Sequence, residues 1–258
     1  LQFLRHRDDQ PLQNNSMNVK QNWKRFLVVG CSHGQLADPK ALRAVLEFKK
    51  RWRPEFTAHL GDAIDCTAFR SGAKGQHDET EPVSPDLVAG MDFLDALRPQ
   101  VYLFGNHEDR LTTLSKHFNA IVSGYASDLL DAISDQCKKS KTLIIPYGYR
   151  QEYQLGNYKL MHGAIYSEHA ARDNAEIHGN CIVAHCHRAM MATGRRSDCP
   201  TGVSVGCLMD PAQAGYAKLR KSTYAWSQGF AWGEYSDKQT VVWLHIQPQG
   251  QAEWRLPV

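Results

Sequence analysis

An α/β fold, with two packed mixed β-sheets flanked by helices, is predicted for this chain by three observations. The first half alternates apolar, β-branched runs with stretches of helical spacing in the order β-α-β-α-β, the pattern of strands covered by helices. The second half changes to short strand-like runs interrupted by one helix. Five of the strands end in clusters of histidine, aspartate or asparagine beside small residues, and in open α/β sheets ligands gather at the carboxyl ends of strands.

Each element follows from local pattern. Arg25 to Gly30 (RFLVVG) is a short apolar run closed by glycine and reads as a buried strand. Pro39 opens a helix that carries Leu42, Val45, Leu46 and Lys49 at helical spacing to about Trp52, where Pro54 stops it. Phe56 to Leu60 is a second strand, and residues 66–83, rich in Gly, Ser, Lys, His and acids, read as an exposed loop. Pro85 starts a helix with Leu87, Met91, Leu94 and Leu97 on one face, and Val101 to Phe104 forms a third strand. Residues 109–138 are predicted helical with a break at Gly124. Strands follow at 142–146, 149–155, 158–161, 181–184, 202–208, 229–235 and 240–246, with a helix around 168–178. Residues 1–16 are polar and aperiodic, read as a disordered lead or extension, and 17–258 are expected to form a single domain.

Bulk properties narrow the class. The 258 residues include 42% hydrophobic and 22% charged side chains with a net charge of +3, ordinary for a globular protein and short of the charge bias of a dedicated nucleic-acid binder. Basic clusters at residues 49–53, 195–196 and 218–221 read as solvated surface. No apolar run reaches the roughly 18–20 residues of a membrane helix, so no membrane partner is expected. The 7 cysteines form no C-x-x-C pair, and their odd number in a chain of this size favours a reducing, cytoplasmic setting over a disulfide framework.

The chemistry lies in the strand ends, which read Cys31-Ser32-His33, Gly61-Asp62-Ala63-Ile64-Asp65, Gly105-Asn106-His107-Glu108, Met161-His162-Gly163 and Ala184-His185-Cys186-His187. Singly, a Gly-Asp pair is usually a turn and a histidine at a strand end usually a hydrogen-bonded surface group. His185 and His187 are stronger, because an H-x-H pair on a strand shares a face. It is the ordered set that is specific.

That set resembles the calcineurin-like metallophosphoesterases, whose motifs run D-x-H, G-D-x-x-[DR], G-N-H-[DE], a single His and G-H-x-H. Here they read C-S-H, GDAID, GNHE, MHG and AHCH, in order, over residues 31–187. The resemblance implies a metallophosphoesterase-type sandwich and a dinuclear site. His33, Asp62 and His187 would bind one divalent metal ion, and Asp62 would bridge to a second completed by Asn106, His162 and His185. His107 would contact the phosphate, donating a proton to the leaving oxygen or stabilising charge. Arg110, from its position just after the motif, is a further expected substrate contact. The implied cofactors are two ions among Mn, Zn, Fe and Ni, which imidazole and carboxylate suit. They would hold a bridging hydroxide for in-line attack on a phosphate-ester substrate.

Two positions depart from the pattern. Cys31 replaces the first aspartate, either as a thiolate ligand or as a buried apolar residue, with ligation slightly favoured. Ala184 replaces a glycine, a small change. Asp65 reads either as a hydrogen-bond acceptor behind a metal ligand or as a helix N-cap. His77 lies in the 66–83 loop and reads as solvated. The aromatic residues Tyr224, Trp226, Phe230, Trp232, Tyr235 and Trp243 read as sheet core rather than as stacking faces for bases. The expected function is hydrolysis of phosphomonoesters or phosphodiesters. The alternatives are a nuclease acting on DNA or RNA with the same site, and a non-catalytic binding module with a degraded one. Oligomeric state has no signal in the sequence.

Overall fold

The computed structural model describes residues 22–148, 150–215, 221–247 and 253–257; residues 1–16, read as a lead, lie outside that range. Along the chain run β1 (Lys24–Val29), α1 (Pro39–Trp52), β2 (Phe56–His59), α2 (Val83–Leu97), β3 (Val101–Leu103), α3 (Asn106–Leu114), α4 (Ala120–Ser140) and β4 (Leu143–Ile145). They are followed by β5 (Tyr153–Leu155), β6 (Tyr158–Leu160), α5 (Ala170–His178), β7 (Cys181–Val183), β8 (Ala189–Thr193), β9 (Thr201–Val205), β10 (Gly229–Tyr235) and β11 (Thr240–Ile246).

The strands form two sheets, ordered β11-β10-β1-β2-β3-β4 and β5-β6-β7-β9-β8. Both are mixed. β1 to β4 are parallel and β6, β7 and β9 are parallel, while β10, β11, β5 and β8 pair antiparallel at the flanks. The predicted two-sheet α/β architecture is therefore the one observed.

Side-chain alternation builds the layers. In β1, Phe26 and Val28 point between the sheets, where they join Leu103, Leu160, Ile182 and Val205, whereas Leu27 and Val29 pack outward with Val45 and Phe48 of α1. In β3, Val101 and Leu103 face inward while Tyr102 meets Leu129 and Ile133 of α4. β7 repeats the scheme, with Ile182 inside and Cys181 and Val183 against Ala175 of α5. Strands covered on both faces are continuously apolar, as their sequences are.

Several boundaries differ from expectation. α1 keeps the predicted limits because the Asp38 side chain accepts from Lys40 N–H (2.8 Å), Pro39 sits in the first turn and Arg53 turns left-handed before Pro54. α2 starts at Val83 rather than Pro85, since a proline anywhere in the first turn lacks only an N–H that would be unbonded. The break predicted at Gly124 lies instead between Leu114 and Ala120, where the Asn119 side chain accepts from Ile121 and Val122 N–H and caps α4. Gly124 runs through the helix with open space beside it. β8 was not anticipated.

Candidate metal centre

The strands that carry the polar clusters, β1, β2 and β3 in one sheet and β6 and β7 in the other, bring their following loops to a common point. Cys31, His33, Asp62 and His187 are all buried, and each offers a donor atom within 4.8 Å of the others. Asp62, His162 and His185 form a second such group. Asn106 completes it, with Oδ1 2.8 Å from His185 Nδ1 and 3.1 Å from His162 Nε2. Asp62 is common to both, its Oδ2 3.3 Å from His162 Nε2 and 3.9 Å from His33 Nε2.

The spacing within each donor group suits a divalent cation. His33 Nε2 faces His187 Nε2 at 3.0 Å, and His162 Nε2 faces His185 Nδ1 at 3.3 Å. Two nitrogens bound to one zinc ion at about 2.0–2.1 Å in a tetrahedron stand roughly 3.3 Å apart. Nitrogen, oxygen and sulfur at such spacing suit divalent transition metals.

The backbone is bent to reach this arrangement. Cys31, His33, Asp62, His185 and His187 all adopt left-handed conformations, with φ between 53° and 64°. For a side chain other than glycine this costs on the order of 1–2 kcal/mol each, and such outliers concentrate where function over-determines geometry. Two glycines make the approach possible. A Cβ on Gly61 (φ 95°) would lie 2.4 Å from Gly105 N, and one on Gly105 would lie 2.1 Å from Asp62 Oδ1.

Buried acids hold the loops. Glu108 is fully buried and accepts from Asp62 N–H (2.9 Å), Ala63 N–H (2.7 Å), Gly105 N–H (2.7 Å) and the Tyr102 hydroxyl (2.6 Å), tying the β2 loop to the β3 loop. Burial and the Asp62 charge push its carboxyl up, against these donors, which favour the carboxylate. Asp86 of α2 accepts from Gln35, Asp65 and Cys66 N–H (3.1, 2.9 and 2.8 Å). Asp65 lies 2.8 Å from His33 Nδ1. It accepts that ring's N–H and leaves Nε2 turned toward the site, so the reading of Asp65 as an acceptor behind His33 describes its contact, and Cys66 rather than Asp65 occupies the cap of the short turn that follows. The carbonyl of Leu60 does the same for His162 Nδ1, at 2.6 Å. His59 and Ser32 add a further brace, His59 Nε2 to Ser32 Oγ at 3.1 Å and Gly61 N–H to His59 Nδ1 at 3.2 Å.

Burial opposes ionisation of Asp62, but the surrounding His107, His162 and His33 imidazoles hold its carboxyl well below the usual range. Burial would lower His33 and His162 too, yet the Asp65 hydrogen bond raises the first and the Asp62 charge the second. Burial takes His107 and His185 down to about 4 and His187 well below its ordinary value, so these three are neutral at pH 7 and present lone pairs. Burial, then the Asp62 charge, push the Cys31 thiol far up. Its sulfur accepts His185 N–H at 3.3 Å.

His107 lies at the edge of the cluster, its Nε2 3.8 Å from Asp62 Oδ2 and its Nδ1 2.5 Å from the Asp65 carbonyl, to which it donates. Arg110 donates Nη1–H to that carbonyl at 3.0 Å and sets Nη2 3.2 Å from His107 Nε2. All nine residues singled out from the sequence thus come together, with His107 and Arg110 beside the two donor groups. His77 does not, being an exposed residue 3.8 Å from Glu81.

The family model for calcineurin-like phosphoesterase matches residues 24–196, a span that contains every one of these loops. The chain belongs to the calcineurin-like phosphoesterase family. A comparison with curated proteins returns no match. Among solved structures, this phosphoesterase-family chain is similar to a predicted phosphoesterase from Streptococcus pneumoniae TIGR4 (15% identity, TM-score 0.36, covering 88% of this chain and 94% of that one). It is also similar to an archaeal phosphodiesterase (10% identity, TM-score 0.40, 86% and 99%) and to the phosphoesterase Yfce from E. coli (12% identity, TM-score 0.39, 84% and 96%).

Within the calcineurin-like chain, Cys31 is fully buried in the inter-sheet core cluster and offers its sulfur to the first donor group. Ala184 is accommodated because it packs on Gly30, where a Cβ would lie 2.8 Å from its own. Sequence reasoning missed Asp86, His59 and the aromatic rings around the second-sheet histidines. Tyr147 lies edge-on to His162 (centroids 5.7 Å), Tyr166 to His185 (6.3 Å) and Trp226 to His187 (4.4 Å). Trp226 packs against the inter-sheet core as expected and also meets His187; Tyr224 is exposed, contrary to expectation, and Phe230 is core. The sequence signal for Trp226 would have been its place outside any strand.

Proposed function

We propose that this protein hydrolyses phosphate esters at a dinuclear metal site, with Cys31, His33, Asp62 and His187 holding one ion and Asp62, Asn106, His162 and His185 the other. The observation that carries this reading is the pair of donor groups sharing the Asp62 carboxylate. Asp62 supplies the anionic bridge, held ionised by the imidazoles around it, and Asn106 adds a neutral oxygen that limits negative charge near an anionic substrate. Divalent ions bound there supply a nucleophile from water at neutral pH and neutralise phosphoryl charge; Mn, Zn, Fe and Ni all suit the donors.

The chain's own groups complete the site. His107, neutral and donating Nδ1–H to the Asp65 carbonyl, presents Nε2 beside the Arg110 guanidinium. In this arrangement the pair acts on phosphate as a polar edge, and Arg110 is the better donor to a phosphoryl oxygen, since its guanidinium offers a planar fork of N–H groups. Proton donation by His107 requires it to take a proton from the solvent or substrate first.

The test is elemental analysis of purified protein combined with turnover of an aryl monoester, an aryl diester and single-stranded DNA in the presence of Mn. Bound divalent metal and phosphate release from one of the aryl esters are expected. Preference for DNA would move the protein to the nuclease alternative, for which the basic run at 49–53 gives no local support: Lys49 donates to the Leu97 carbonyl and Arg51 pairs with Glu47. Absence of metal would return it to a non-catalytic module.

A further inference from the structure

A cavity of about 200 Å³ adjoins the second donor group. Phe104, Tyr147, Met161, Gly163 and Ala164 line it together with the His162 ring. Its walls are thus the neighbours in sequence of two proposed ligands: Phe104 precedes Gly105-Asn106, and Met161 and Gly163 flank His162. One face of the His162 imidazole closes the pocket while its Nε2 points to Asp62 and Asn106. Tyr147 stands edge-on to that ring, and its hydroxyl donates to the Gly163 carbonyl at 3.4 Å, so the tyrosine is pinned to the loop that carries the histidine.

The lining decides the chemistry of the occupant. Most of the lining is aromatic and aliphatic, suited to ring stacking and apolar contact. The polar part of the lining comes from Gln151, which offers an amide, from Glu152, paired with Lys159 at 2.9 Å, and from Arg150 and His178. An apolar cavity of about 150 Å³ accommodates benzene, so this volume suits one ring system and not a polymer.

We infer that this pocket receives the organic side of the ester, and that this group is a planar ring, a nucleobase or an aryl group. The inference rests on the phosphoesterase reading of the adjoining centre. It places a specificity element next to His162, with Tyr147 as the stacking face and Gln151 as the partner for ring heteroatoms.

Ala164 is exposed at the pocket's edge, so Ala164→Trp fills the space without entering the core. Metal-loaded protein is assayed with thymidine, p-nitrophenyl and glyceryl esters, each as phosphomonoester and methyl diester. Comparing variant with wild type cancels intrinsic differences in leaving-group reactivity. The ratio of kcat/KM for a planar ester to that for the glyceryl ester is expected to fall ~10-fold or more in the variant; a ratio within twofold of wild type overturns the inference. In parallel, binding of free thymidine and free p-nitrophenol to metal-free protein is followed by saturation-transfer NMR. Binding of either that is lost in Ala164→Trp supports the pocket and identifies nucleobase or aryl as its occupant; binding of neither overturns it. Ring binding without turnover of any ester would overturn the hydrolase reading alone and leave the pocket standing.

Discussion

The donors carried by the first sheet and those carried by the second are held by different forces. His33, Asp62 and Asn106 sit on loops laced together by buried carboxylates, with Glu108 accepting four hydrogen bonds of 2.9 Å or less and Asp86 three. His162, His185 and His187 rest against Tyr147, Tyr166 and Trp226, and the buried His187 Nδ1 has no hydrogen-bond partner among the described residues. The first group is thus fixed by buried carboxylates, the second by aromatic packing together with the Leu60 carbonyl that accepts from His162 Nδ1. On the proposed reading, the carboxylate-braced side faces the phosphate and the aromatic side the rest of the substrate.

The sharpest way to break this contrast is Glu108→Ala. It strands the N–H groups of Asp62, Ala63 and Gly105 in the core, and the expected loss is about 3–5 kcal/mol of unfolding free energy, read by denaturant titration. On the other wall, Trp226→Phe keeps an apolar face against His187 and should cost less than about 1.5 kcal/mol. Equal losses would erase the distinction. His107→Ala should lower turnover by roughly 10²–10⁴ with metal content intact by elemental analysis; loss of metal would make His107 a ligand. Asp65→Asn should weaken metal binding by roughly 10–100-fold, because the acceptor that orients His33 loses its charge, and competition with a chelator measures that change.

The pH dependence of the metal-free protein follows from the same histidines. His59, His107 and His185 have folded values of about 3, 4 and 4, below the ordinary value near 6.5 expected unfolded. Below pH 6.5 the unfolded chain therefore binds protons that the folded one refuses, and stability falls as pH drops toward 4, by up to about 1.4 kcal/mol per pH unit for each such group. His33 and His162, whose values are raised, act oppositely above pH 6.5, where stability they contribute is lost as pH rises through their folded values. A melting temperature flat between pH 7 and 5 would contradict the burial assigned to these rings. Smallest of all is the effect of Cys31→Asp, for which activity should persist while metal preference moves toward Mn.

Much of the centre was legible because each donor follows a strand end beside a small residue, a signal local in sequence. Asp86 was not, since its role is to accept N–H groups of loops 21 and 51 residues away, and nothing in the helical pattern of α2 distinguishes it from a surface acid. The contact of Trp226 with His187 was hidden for a similar reason. Trp226 lies close in sequence to β10 yet outside it, and only the third dimension sets it against His187. The helix break was misplaced because glycine is merely tolerated within α4, whereas the Asn119 cap actively starts it.

The central claim is that one carboxylate, Asp62, serves two separate groups of donors. Metal stoichiometry of the wild type and of the His187→Ala, Asn106→Ala and Asp62→Asn variants tests it most directly. Two ions per chain, one lost in each single-sided variant and both weakened in Asp62→Asn, is the predicted result. A single ion that vanishes with either His187 or Asn106 would contradict it.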